Sequence, residues 1–154
     1  MTRRQMLTTL KMLVASMTVV TTSQAEVMDV DGRSALVMQS DVALLVVDLA
    51  GGSIKDFHLL EHGLNPLQWD SVSFDSTLAE TPTKPRSMGH FLCLDRWGPA
   101  SEAEIENGMG WHGEASRVLW KVTQDVVDGD DHLEAVMTAN LLSAGLSVRR
   151  TIRM

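Results

Sequence analysis

Ser116-Arg-Val-Leu-Trp-Lys-Val-Thr-Gln-Asp-Val-Val127, followed by Asp128-Gly129 and then by His132-Leu-Glu-Ala-Val-Met-Thr-Ala-Asn-Leu-Leu142, decides the fold class. In the first run Val118, Trp120 and Val122 fall on one side and Leu119, Lys121 and Thr123 on the other, the two-residue period of a β-strand. Asp-Gly between two such runs signals a hairpin, because both residues tolerate a positive φ. Ala144-Gly145 turns the chain again into Leu146-Ser-Val-Arg-Arg-Thr-Ile-Arg-Met154, where Leu146, Val148, Arg150 and Ile152 share a face. The spacing predicts three antiparallel strands over residues 116–154.

Towards the N-terminus the same logic continues. Ser34 to Gln39 and Val42 to Leu49 are short runs rich in Val, Leu and Ala, broken by Ser40-Asp41 and by Ala50-Gly51-Gly52. Such runs between turn residues read as strands. Ser53 to Leu60 alternates imperfectly, with Ile54 and Phe57 bracketing Lys55 and Asp56, and Asn65-Pro66 opens a further short piece through Leu67 and Trp69. These predict consecutive antiparallel strands with tight connections. Asp70 to Pro85 is a polar, proline-containing loop with one helical turn near Leu78 to Glu80, and Gly89 to Trp97 returns to strand-like composition. Within Pro99 to Asn107, Ser101-Glu-Ala-Glu104 predicts a short N-capped helix that Gly108 ends. No repeat, heptad or low-complexity tract interrupts the pattern, so the expected class is all-β with antiparallel strands.

The first 25 residues are set apart from that domain. Arg3, Arg4 and Lys11 form a positive start, Leu13 to Val20 an apolar run too short to span a bilayer, and Ser23-Gln24-Ala25 a small-residue end suited to a signal peptidase. Thr2-Arg-Arg-Gln-Met-Leu7 is similar to a twin-arginine export signal. Residues 1–25 therefore read as a signal peptide and residues 26–154 as a periplasmic or secreted domain with no membrane span. The leader carries three basic and no acidic residues, so its removal takes the 13 basic side chains to ten against twenty acidic ones, a formal charge of −10 instead of −7. That surplus opposes binding to nucleic acid or an anionic membrane. Cys93 is the only cysteine, which excludes an internal disulfide, and its place in Phe91-Leu-Cys-Leu94 reads as a small buried hydrophobe.

The chain stops inside an alternating strand, with no turn or polar tail after Ile152. An open edge of this kind is normally protected, so the sequence reads as the N-terminal part of a longer protein. A small domain ending on an edge strand, with a purely structural role, is the alternative.

The chemistry concentrates between Arg86 and Trp120, which hold three of the four tryptophans and two of the five histidines. His112 and Glu114, two apart, would project from one face of an extended segment and could share acid/base work. A surface pair is the plainer reading. His90, Asp95, His112 and Glu114 are ligand types without a tight motif such as His-Glu-x-x-His, so no metal is expected. Ser87, Ser101 and Ser116 occupy no nucleophile turn, and no glycine loop cradles a phosphate, so no cofactor is expected. Trp97, Trp111 and Trp120 beside His, Arg and Glu suit a sugar, whose C–H faces stack on rings while its hydroxyls bond to polar groups. Trp120, alternating with Val118 and Val122, reads as core; Trp111, between a glycine and the histidine, reads as a site wall.

Met88-Gly-His-Phe-Leu-Cys-Leu-Asp-Arg-Trp-Gly-Pro99, then His112-Gly-Glu-Ala115 and Trp120, resembles the aldose 1-epimerase (galactose mutarotase-like) superfamily. The nearest pattern is its hexose-6-phosphate 1-epimerase branch, where a run ending in Phe-Gly-Pro precedes His-Gly-Phe-Ala-Arg and a tryptophan. Gly51-Gly52 and a late strand with Arg149 and Arg150 are similar to the order of events there. The resemblance implies that the strands form an antiparallel β-sandwich, a supersandwich whose concave face binds a pyranose, with catalytic His and Glu from the later half of the fold. On that basis no residue of this chain is assigned a catalytic role. His112 would contact the sugar, and Arg86, Arg96, Trp111 and Glu114 would line the site. Ser116 stands where that branch carries its arginine, with Arg117 one place later and Arg86 offset by one, so the implied ligand is an unphosphorylated sugar. The implied function is an isomerase interconverting aldose anomers in its complete form; a non-catalytic carbohydrate-binding protein is the alternative.

Overall fold

The computed structural model describes residues 23–81, 83–94, 96–128 and 132–154, and the side chains of 124–128 stand outside that description. The chain is all-β, with two antiparallel sheets and little helix. The first sheet is the meander β1 (Gln24–Val30), β2 (Arg33–Gln39), β3 (Ala43–Asp48) and β4 (Ile54–Leu59); the second is β5 (Lys121–Asp128), β6 (Leu133–Leu141) and β7 (Leu146–Arg153). Between the sheets the chain makes the 3-10 turns Ser71–Ser73 and Ser76–Glu80, the helix α1 (Glu102–Glu106) and the 3-10 turn Ala115–Arg117.

The two sheets share one core. Leu36 and Met38 of β2 and Leu45 and Val47 of β3 belong to the same buried cluster as Leu133, Ala135, Met137, Ala139 and Leu141 of β6, with Trp120 among them. Each fully buried Leu or Met there contributes about 1.5–3 kcal/mol. The opposite face of β2 and β3 holds a smaller cluster of Ala35, Val37 and Val46, which is why these strands read as nearly continuous apolar runs. Arg33 and Asp48, at 3% and 1% exposure, form a bidentate ion pair of 2.7 and 2.8 Å between the start of β2 and the end of β3. The same guanidinium donates to the carbonyls of Ala50 and Lys84, so it also fastens the loop that leads into the 86–92 segment.

Several local expectations meet the structure differently. β1 opens at Gln24, so the last two residues of the expected leader lie in a strand paired with β2, Ala25 opposite Met38. Leader residues 1–22, Asp95 and Gly129 of the expected hairpin lie outside the described residues. The imperfect alternation around Lys55 is a bulge: Val46 faces Asp56 and Val47 faces Ile54, leaving Lys55 as the extra residue. The strand expected from Ser116 begins only at Lys121, because Ala115–Arg117 is helical and Leu119 bridges to Ala50 instead. Asn65 to Trp69 and Gly89 to Trp97 are not strands. The isolated bridges Asp70 to Met88 and Ile54 to His90 hold them, the second on the free side of β4's first residue, with no further ladder among the described residues. By contrast α1 has the expected capping box: the Ser101 Oγ accepts from the Glu104 N–H, and the Glu104 carboxylate accepts from the Ser101 N–H.

Candidate functional site

The site is built on the glycine pair after β3. At Gly51, φ is +126° and an added Cβ would lie 2.7 Å from the Arg86 carbonyl oxygen and 2.9 Å from that of Ser116. At Gly52 the Trp120 indole occupies the same space, 2.5 Å away. Absence of side chains therefore lets three segments meet: residues 49–54, 86–92 and 115–120. The Arg86 N–H donates to the Ala50 carbonyl, Ile54 and His90 exchange both backbone bonds, and the Trp120 N–H donates to the Leu49 carbonyl. From β7, Arg150 Nη1 donates to the Gly52 carbonyl at 2.6 Å, and burial lowers the pKa of that guanidinium.

This scaffold displays a row of rings. Phe91 follows directly from the Ile54–His90 bridge, and Trp69 is pinned beside it because its carbonyl accepts from the Gly89 N–H. Ring centroids lie 5.6 Å apart for Trp69 and Phe91, 5.4 Å for Phe91 and His112, 5.1 Å for Trp97 and His112, and 5.4 Å for Trp111 and His112. Phe74 extends the row from Trp69 at 6.5 Å. Phe91 and His112 are half-buried, whereas Trp97, Trp111 and Phe74 are 79%, 62% and 85% exposed. Large exposed aromatic groups placed together mark an interaction surface rather than core.

His112 is the fixed point of that shelf. Its backbone is left-handed, φ +62°, in a turn with Gly113 at +80°. Its N–H donates to the Gly98 carbonyl at 2.8 Å, and the Gly98 N–H donates to His112 Nδ1 at 3.0 Å. An amide N–H can only donate, so Nδ1 accepts and the neutral ring carries its proton on Nε2. Among the described residues Nε2 has no hydrogen-bond partner, leaving a donor amid three rings.

The other residues singled out in the sequence go elsewhere. Residues 110–114 are a turn and not an extended segment, so His112 and Glu114 do not share a face. The Glu114 carboxylate accepts from the N–H groups of Leu142, Ser143 and Ala144 at 2.9, 2.9 and 3.2 Å, which caps the β6–β7 turn. Arg96 donates to the Pro99 carbonyl and to Glu104, holding the approach to α1. Arg86 pairs with Asp70 through Nε and Nη2, at 3.1 and 2.7 Å, and lines a cleft of about 730 Å³ with Asp31, Gln68, Trp69 and Ser73. Of the five, His112 and Trp111 come together. Trp69, Phe74 and Phe91 were not singled out, and the only signal for them was an aromatic residue placed in otherwise polar or irregular sequence.

Asp70 gives this cleft a pH dependence. Partial burial pushes its carboxyl up, but the hydrogen bonds from Arg86 and from the Val72 N–H, with the nearby positive charge, outweigh that and leave it below its ordinary 3.8. A lowered folded pKa adds stability above the unfolded value, and that stability is lost as pH falls through the folded one. Asp70→Asn is therefore expected to flatten the loss of stability below about pH 4. Urea midpoints between pH 2.5 and 6 check this; an unchanged acid limb would contradict it.

Comparison with protein-family models, with curated proteins and with solved structures finds no match for this chain. What the geometry defines by itself is a two-sheet, all-β protein carrying an exposed aromatic shelf centred on a histidine.

Proposed function

We propose that the shelf around His112 binds a sugar, and that the chain is one wall of a carbohydrate site in an exported, aldose 1-epimerase-like β-sandwich protein. The observation that carries the proposal is His112 itself: a ring with Nδ1 engaged by the Gly98 N–H and three other rings centred 5.1–5.4 Å from it, two of them exposed tryptophans. Pyranose C–H groups would lie on Trp97 or Trp111 while a hydroxyl accepts from Nε2–H. On the epimerase reading a base would take the anomeric hydroxyl proton as an acid protonates the ring oxygen, opening the ring for reclosure on its other face. The order of the glycine pair, the His-Gly turn and Trp120 supports that extension.

A second reading, binding without turnover, is favoured by one observation. Glu114, the nearest carboxylate to His112 in sequence, is committed to three backbone N–H groups and is not placed as a base for His112. Polarimetry separates the two: a bound aldose whose anomers interconvert faster than in buffer supports the epimerase, and binding at the buffer rate supports the second reading.

His112→Asn tests the site. Asparagine tolerates the left-handed backbone but removes the imidazole. Loss of one hydrogen bond is expected to weaken monosaccharide binding by up to about tenfold, with little change in folding stability. Unchanged affinity for every sugar the protein accepts would remove His112 from the site.

A further inference from the structure

We infer that the ligand is a neutral oligosaccharide, lying from the His112 shelf across Phe91 into the cleft beside Trp69. This rests on the sugar reading above and extends it from one ring to a chain. The first ground is continuity. Four successive ring contacts, none longer than 6.5 Å, run from Trp97 through His112, Phe91 and Trp69 to Phe74. The rings meet edge-on or tilted, at 59–80°, so one pyranose covers only part of the row, and Trp69 and Phe74, 38% and 85% exposed, remain open to further sugar rings.

The second ground is the cleft at the far end. Its volume of about 730 Å³ adjoins a second hollow of about 290 Å³ that shares Gln68, Trp69 and Asp70. Two hollows that share one indole in their lining suit a ligand that extends along that ring. The lining sets apolar Trp69, Val72 and Ala79 beside polar groups: Gln68 with its amide, Ser73 with its hydroxyl, and Asp70 and Arg86 with a carboxylate and a guanidinium. These are the groups that bond to sugar hydroxyls.

The third ground is charge. Asp70 is paired with Arg86 at 2.7 Å, and Asp31 with Lys55 at 2.6 Å, so the charged side chains of the cleft already neutralise one another. The chain as a whole carries −7. A phosphorylated or polyuronic chain would meet that surplus without a spare cation among the described residues of the lining, whereas a neutral glycan meets no penalty. The ion pairs keep part of their surface exposed and can still bond to hydroxyls from their open sides.

Titration of the full chain, followed by tryptophan emission, tests this with malto-, cello-, xylo- and manno-oligosaccharides from monosaccharide to hexasaccharide. In the accepted series each added ring is expected to tighten binding about three- to tenfold until the row is filled, since a stacked ring contributes about that much. Trp69→Ala is expected to abolish the gain with length, so that a hexasaccharide binds no tighter than a monosaccharide. Phe74→Ala, at a position 85% exposed and outside the core, gives a smaller loss of the same kind and guards against misfolding of the first variant. Monosaccharide binding with no gain on lengthening, or a gain that both variants leave intact, would overturn the oligosaccharide inference and leave the sugar reading standing. No emission change or affinity with any sugar of any length would overturn both.

Discussion

Asp48→Ala lowers the stability of the chain by about 3–5 kcal/mol, the cost of removing the carboxylate paired with a buried guanidinium. Arg33 and Asp48 are almost fully buried, and the pair is bidentate. A domain of this size is stable by about 5–15 kcal/mol, so the variant sits near the edge of folding. Replacing both partners, Arg33→Met with Asp48→Leu, recovers part of the loss, because a well-packed apolar pair is about as stable as a buried ionic one but takes this donor from the carbonyls of Ala50 and Lys84. Urea denaturation of the three proteins measures it. A loss under about 1 kcal/mol for Asp48→Ala would mean the pair behaves as a solvated surface bridge.

Gly51→Ala has a comparable effect by a different route. The new methyl meets two backbone carbonyls that belong to different segments, and the backbone is held at φ +126°, where L side chains are strained. Strain and overpacking each cost about 1–3 kcal/mol, so the sum is on the order of 4 kcal/mol. Relief requires Arg86 and Ser116 to move apart, and those residues belong to the segments that carry Phe91 and His112. The variant is therefore expected to lose ring order at the shelf as well as stability. Gly32→Ala is the matched control: φ is +75° but nothing lies within 4 Å of the added carbon, so only about 1–2 kcal/mol of left-handed strain is expected. Equal losses at the two positions would show that the close approach at Gly51 contributes nothing.

These two sites show where sequence reading stops. β2, β3, β6 and β7 were legible because their alternation or apolar runs are driven by the core they bury, and α1 because both halves of its capping box are written three residues apart. β1 was hidden by the leader signal, although Asp31-Gly32 is a hairpin turn with positive φ at both residues, the same signal that was accepted at Asp128-Gly129. Gly89 to Trp97 has strand composition but a single bridging partner, so its shape is set by Ile54 and by ring packing rather than by a ladder.

The site divides in the same manner. Trp111 and His112 were visible as unusual residues between glycines. The role of Glu114 was not, because the amides that claim it lie 28 to 30 residues further on. Arg33 and Asp48 attract no notice in sequence, since a charge at a strand end is ordinary on an exposed surface. Their burial follows from the loop that crosses them. The shelf itself joins rings from residues 69 to 112, an arrangement no local pattern encodes.

The function proposed for the exposed rings around His112 is to hold a sugar. Its most direct measurement is calorimetric titration of the full chain with aldoses and short glycans, set beside the double variant Trp97→Ala/Trp111→Ala. Both tryptophans are largely exposed, so the double variant should keep the urea midpoint of the parent protein. With two stacking faces removed, at about 0.5–1.5 kcal/mol each, affinity is expected to fall between about fivefold and about a hundredfold. Binding of equal strength in the parent and the double variant, or none in the parent, would contradict it.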